Sequence, residues 1–224
     1  MLRLLQREQQ QTNEENERIL PNNTSTTDRI RNEAARQNKE IVEWAKKKNV
    51  LIFEPIDYFD ESIGEEHLEG TEAVVWAEAD RCVVTKSITY NHHKNVKELL
   101  EKILAHNYMF QNAEMNVIGV GSSEKGVSII VEQPLIEHEW EVPTLEEIET
   151  YMTNNLKFRI LKKNGTHIEY IKNGIVVTDI NQNNVVKVED GSFVVIDCDA
   201  EIINHTIIES YLFDQNKFNL FNES

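Results

Sequence analysis

Val176 to Asp199 reads VVTDINQNNVVKVEDGSFVVIDCD, the one stretch in which acidic and amide side chains recur at spacings suited to chemistry. A short apolar strand ending at Val177 leads into a polar loop holding Asp179, Asn181, Gln182, Asn183 and Asn184. Two β-branched or aromatic runs follow, Val185 to Val188 and Phe193 to Ile196, and Glu189-Asp190-Gly191 between them predicts a hairpin turn with a residue tolerant of positive φ. Such a hairpin returns Asp197, just past the second run, to the side of Asn184, just before the first. Asp179, Asn184, Asp197 and Asp199 then share a neighbourhood. Two like charges about 4 Å apart repel by roughly 1 to 4 kcal/mol between water-like and surface-like dielectric, so three carboxylates held together need a compensating cation. Oxygen-only ligands suit a hard ion such as Mg²⁺. Solvated acids in two β-turns are the plain alternative; order, spacing and flanking strands together favour a site.

Asp-x-x-x-x-Asn, a hairpin, and an apolar run ending in Asp is the arrangement of a protein-kinase catalytic loop and its metal-binding aspartate. The stretch resembles the serine/threonine/tyrosine kinase-like domain of polyvalent proteins from bacterial mobile elements and phages, with its "D-L-x-x-x-N-V-L" loop, "D-G" turn and "V-I-D-x-D/E". The resemblance implies an α+β, protein-kinase-like two-lobe fold. It also implies an ATP- and Mg²⁺-dependent phosphotransferase that passes the γ-phosphoryl group to a hydroxyl on a protein. In that family setting Asp179 orients or deprotonates the attacking hydroxyl, Asn184 and Asp197 hold Mg²⁺ against the phosphates, and Asp199 stands where small-molecule kinases often keep a second acid.

Further matches extend the resemblance over roughly residues 30 to 200. Gly70-Thr71-Glu72-Ala73 precedes the apolar run Val74 to Ala77, where the family reads "G-G-S-E-x-E-V-Y"; only Gly70, with Gly64 before it, can bring backbone N–H groups close to phosphate. The next run, Cys82 to Thr85, ends at Lys86, placed to reach the α and β phosphates. Alone, a strand-end lysine is an edge charge; the downstream loop gives it meaning. Val96, Leu99, Leu100, Ile103 and Leu104 define one face of a helix running to about Phe110. A kinase needs a carboxylate from this helix to pin its lysine. Glu98 and Glu101 are the candidates, and spacing selects Glu101, with surface pairing to Lys97 and Lys102 as the plain alternative. His106-Asn107-Tyr108-Met109-Phe110 reproduces the family's "H-N-x-x-F" and reads as a structural cap. Glu132-Gln133-Pro134-Leu135 occupies the hinge position, whose backbone groups would meet the adenine edge.

The expected organisation is a polar leader over 1–26, an N-terminal lobe of about five strands and one helix over about 50–132, and a hinge over 132–136. A minimal C-terminal lobe over 137–200 and a partly helical tail over 201–224 complete it. An amphipathic helix from Asp28 to about Lys48 (Ile30, Ala34, Ile41, Trp44, Ala45) and a capping box at Thr144 and Glu147 bracket these parts. Three features separate this chain from ordinary protein kinases. Val177 replaces the histidine usually found two residues before the catalytic Asp, Cys198-Asp199 replaces Phe-Gly, and no activation segment follows Asp197. A catalytically inactive pseudokinase, binding nucleotide or a host protein, is therefore the alternative expectation.

Composition sets the outer bounds. With 224 residues and 40% hydrophobic content the chain can bury a core. A formal charge of −16 opposes non-specific nucleic-acid binding. Cys82 and Cys198 stand far apart without CxxC or paired-histidine spacing, against a disulfide framework or zinc site. No apolar run approaches membrane-spanning length, and a reducing cytoplasm fits best.

Overall fold

The structure, a computed structural model, describes residues 26–63, 67–70, 72–89, 95–124, 126–136, 142–204 and 206. The expected leader up to residue 25, Gly64 and the tail after residue 206 lie outside the described residues. Helix and sheet are mixed, as the α+β expectation requires.

Helix α1 (Thr26–Lys48) precedes β1 (Leu51–Phe53) and α2 (Pro55–Ile63). Then come β2 (Leu68–Glu69), β3 (Ala73–Glu78), β4 (Val83–Thr89), α3 (Val96–Met109), β5 (Asn116–Ser123) and β6 (Gly126–Pro134). The six strands form one sheet in the order β1-β5-β6-β4-β3-β2, antiparallel except for β1, which pairs parallel with β5. Strand alternation assigns the two faces. Ile129 and Val131 of β6 point to a core shared with Ile41 and Ala45 of α1 and with Val96, Leu99, Leu100 and Ile103 of α3. Ile130 points the other way, to Trp76 and Phe59 of α2. Full burial of a side chain such as Leu99 contributes about 1.5–3 kcal/mol, so the periodic face read from sequence is what seats α3. The helix starts where the Asn95 side chain accepts a hydrogen bond from the Glu98 amide at 3.0 Å and stops where the Phe110 amide donates to the His106 carbonyl at 2.8 Å.

Beyond β6 come α4 (Leu145–Thr150), a π-helical turn Tyr151–Asn155, then β7 (Arg159–Asn164), β8 (His167–Lys172), β9 (Ile175–Thr178), β10 (Val185–Lys187), β11 (Phe193–Val195) and β12 (Asp199–Ile202). The capping box at the start of α4 is formed in both directions. A four-stranded sheet β12-β9-β8-β7 and the separate hairpin β10-β11 enclose a second core around Met152, Phe158, Tyr170, Val177, Val185, Val195 and Cys198. Leu104 and Ala105, late in α3, pack with Ile175 of β9. One helix therefore fixes the two sheets against each other.

Three expectations change. The first sheet has six strands rather than about five, and β4 continues past Lys86 to Thr89, placing Lys86 in mid-strand between Val75 and Val131. Residues 199–202, expected to end a domain at 200, are a strand zipped antiparallel to β9, with Asp199 opposite Thr178.

Candidate functional site

The predicted hairpin forms, with Val185 opposite Val195. Gly191 sits at φ 77° in its turn, a backbone region that a residue without Cβ occupies freely. Its closure carries the segment after β11 back to the polar loop. The Ile196 amide donates to the Asn184 carbonyl at 2.9 Å, and the Asp197 amide reaches the same oxygen at 3.5 Å. Asn184 in turn donates its side-chain amide to Asp179, at 2.8 Å to the carbonyl and 2.9 Å to Oδ2. Asp179 takes a left-handed conformation, φ 57°, which Asp tolerates better than most side chains. Its other carboxylate oxygen accepts from the Asn181 side-chain amide at 2.7 Å, and Asn181 also accepts from the Asn183 amide at 2.8 Å. The asparagine-rich loop is thus a set of side-chain-to-backbone turns that hold the Asp179 carboxylate in one orientation. Asn181 is a contributor that the motif reading passed over; the signal was its place two residues after Asp179.

Lys86 arrives from the sheet. It is 8% exposed and lies on the α3-facing side of β4, the side that also carries Ile88. Its ammonium donates to the Ile196 carbonyl at 3.4 Å and stands 4.0 Å from Asp197 Oδ2. Burial lowers its pKa, the Asp197 charge opposes that shift, and neighbouring Lys102 adds to it. The Asp197 carboxylate also accepts from the Cys198 amide at 2.8 Å, while burial pushes the Cys198 thiol well above its ordinary pKa.

Several expected site residues stand elsewhere. Glu101 faces Lys97 at 3.5 Å, the plain helix-surface pairing, and the α3 side chains lining the small cavity with Lys86 and Asp197 are Leu99, Lys102, Ile103 and His106. Asp199 spends its carboxylate on Lys102 at 2.7 Å. Three converging carboxylates are therefore not found, and among the described residues no three His, Cys, Asp or Glu side chains form a metal-binding group. The compensating cations are the two lysines. Gly70 donates its amide to the Ala73 carbonyl at 2.8 Å, closing the turn between β2 and β3 on itself rather than presenting that N–H outward.

Glu132 and Gln133 are not a free hinge. Both lie in β6, where Glu132 pairs with Thr85 of β4 and Asn116 of β5 and Gln133 pairs with Val84; the Glu132 carboxylate accepts from Arg81 at 2.7 Å. Gln133, 3% exposed, donates its side-chain amide to the Ala113 carbonyl at 2.8 Å and the Ile196 carbonyl at 2.9 Å. It therefore works through its side chain, tying β6 to the residue before Asp197. Asn107 makes a comparable tie, donating to the Met115 carbonyl at 2.9 Å and accepting from the Met115 amide at 2.8 Å.

For a hard cation the available donors are the Asp197 carboxylate and the Asn184 amide oxygen, whose nitrogen side is turned to Asp179. Mg²⁺ is typically held by one or two carboxylates with phosphate and water completing its shell, so this sparse oxygen set fits a nucleotide-bound Mg²⁺. A cavity of about 470 Å³ lies elsewhere, between α4 and the β7-β8 hairpin, and none of its lining residues belongs to the Lys86 and Asp197 cluster. Among the described residues no helix is long and apolar enough to cross a membrane. The sequence model of one family, described as serine/threonine/tyrosine kinase found in polyvalent proteins, matches residues 34–204. No curated protein and no solved structure matches the chain.

Proposed function

Because the chain belongs to the serine/threonine/tyrosine kinases found in polyvalent proteins, we propose that it is an ATP- and Mg²⁺-dependent phosphotransferase of two lobes acting on a protein hydroxyl. The first sheet with α1–α3 is its N-terminal lobe. The second sheet with the β10-β11 hairpin is a reduced C-terminal lobe, and the nucleotide site lies where Lys86 meets Asp197.

The observation that carries this reading is the continuous linkage from Lys86 to Asp197 at 4.0 Å, from Asp197 to the Asn184 carbonyl at 3.5 Å, and from Asn184 to Asp179 at 2.9 Å. Four residues predicted from motif order alone thus lie in one chain of contacts across 111 sequence positions, from Lys86 to Asp197. Phosphoryl transfer asks little covalent help and depends on positioning and charge, which is what this set supplies. Lys86 offers a buried ammonium to the phosphates. Asp197 and Asn184 offer oxygens that would hold Mg²⁺, and the ion, once bound, neutralises charge on those phosphates. Asp179, fixed by two amides, accepts the proton of the attacking hydroxyl.

A second reading, an inactive pseudokinase that binds a nucleotide or a partner protein, is favoured by two observations. The turn bearing Gly70 is closed by its own hydrogen bond, and Glu101 pairs with Lys97 instead of Lys86. Transfer from γ-labelled ATP separates the two. If the chain is an enzyme, Asp179→Asn abolishes labelling of the acceptor and leaves Mg²⁺-ATP affinity within about twofold, because Asp179 meets the hydroxyl and not the nucleotide. Wild type that binds Mg²⁺-ATP but labels neither itself nor any acceptor protein supports the pseudokinase.

A further inference from the structure

Lys102 is a largely buried side chain on α3, 13% exposed, whose ammonium meets two carboxylates from opposite ends of the chain: Glu72 Oε2 at 3.1 Å and Asp199 Oδ1 at 2.7 Å. Burial disfavours its charge, but the bond to Asp199 and the charges of Asp197, Asp199 and Glu72 outweigh that and hold the pKa well above the ordinary lysine value. Each partner borders the site, and Glu72 lines the small cavity with Lys86 and Asp197. Glu72 ends the turn that carries Gly70, and its carbonyl accepts from the Thr89 amide at 2.9 Å, at the end of the strand bearing Lys86. Asp199 opens β12 two residues after Asp197. In protein kinases the helix contributes a carboxylate to the phosphate-binding lysine, and helix position controls activity through that pair. Here the polarity is reversed: Lys86 meets Asp197 directly, and the helix contributes a cation to acids on either side.

Resting on the kinase reading above, we propose that Lys102 is a positioning residue that latches Glu72 and the Asp197–Asp199 segment to α3, so that helix position sets nucleotide affinity through a lysine instead of a glutamate. The latch is not required for folding. Glu72 and Asp199 are 34% and 52% exposed, so both stay hydrated when the lysine is lost, and an apolar side chain of similar length fills the space between Leu99 and His106. What is lost is the relation between Glu72 and the metal-binding segment. Arginine, with a forked cation long enough to reach both acids, restores it.

Two measurements on the full chain test this. The first needs no nucleotide: hydrogen exchange at the Gly70 and Thr89 amides, which close and anchor the turn. Lys102→Met speeds their exchange about tenfold, leaves Ile130 in the sheet centre unchanged, and Lys102→Arg returns them towards wild type. Unchanged Gly70 and Thr89 exchange overturns the proposal. The second is Mg²⁺-ATP affinity, which falls about tenfold in Lys102→Met and recovers in Lys102→Arg; equal affinity of wild type and Lys102→Met overturns it. If wild type binds no Mg²⁺-ATP, the kinase reading fails by itself and exchange alone decides the latch. Should Lys102→Met not fold, Glu72→Gln cuts the same tie from its more exposed end, and unchanged exchange there counts equally against the proposal.

Discussion

His106 gives the structure a pH dependence that can be calculated. Its ring is 1% exposed, neither ring nitrogen has a well-formed hydrogen bond among the described residues, and its pKa falls from 6.5 to about 4. The main cause is burial, which penalises imidazolium; the Asp197 charge and the Asn107 side chain oppose the shift, while Lys86 and Lys102 add to it. The folded pKa lies below the unfolded one, so the unfolded chain takes up a proton near 6.5 that the folded chain refuses until about 4. Stability contributed by the neutral ring is therefore intact near pH 7 and lost as the pH falls through that window. Between pH 7 and pH 5 the loss is about 2 kcal/mol for this one group. His106→Leu removes the titration and an unsatisfied N–H, and the carboxylates that titrate in the acid range are common to both proteins and cancel in the difference. Urea unfolding of both proteins near pH 7 and near pH 5 should show wild type losing about 2 kcal/mol more than the variant. Equal losses, or an NMR titration placing the His106 pKa near 6.5, would refute the burial argument.

Gln133→Met keeps side-chain length but removes both donated hydrogen bonds. Ile196 keeps Lys86 as a donor at 3.4 Å, whereas the Ala113 carbonyl loses the Gln133 amide, so the cost is about 2–4 kcal/mol. A urea midpoint within about 0.5 kcal/mol of wild type would show that the bracket is not structural. Asp197→Asn leaves the buried Lys86 without its carboxylate. Because the Asp197 side chain is 43% exposed, the loss is only about 1 kcal/mol, and a melting temperature raised by the substitution would mean that repulsion among acids dominates instead. Glu101→Gln should change neither stability by more than about 0.5 kcal/mol nor nucleotide affinity; a marked loss of affinity would restore Glu101 as the partner of Lys86.

What could be read from the sequence was what local pattern encodes. The β10-β11 hairpin follows from two β-branched runs around a glycine turn, α3 from its apolar face, and the capping box from Thr144 and Glu147, and each closes over a short span. The juxtaposition of Asp179, Asn184 and Asp197 was legible for the same reason, since one hairpin creates it. Failures came where the partner is remote. β12 is four residues, Asp-Ala-Glu-Ile, too short and too charged to be recognised as a strand without β9 beside it. Glu101 was preferred over its neighbours because charge type was known and helix rotation was not. α3 turns Lys102 and His106 inward, and the acids that accommodate Lys102 come from positions 72 and 199. Gln133 is read from sequence through its backbone, because nothing local indicates that its amide reaches Ile196.

The central claim is that Lys86, Asn184 and Asp197 form one Mg²⁺-nucleotide site, and titration of ATP against the melting temperature tests it most directly. A ligand that binds only the folded chain must raise its melting point. The account predicts a rise that grows with ATP concentration in the presence of Mg²⁺, shrinks sharply when the metal is chelated, and disappears in Asp197→Asn. No shift at saturating Mg²⁺-ATP, or an equal shift in wild type and Asp197→Asn, would contradict it.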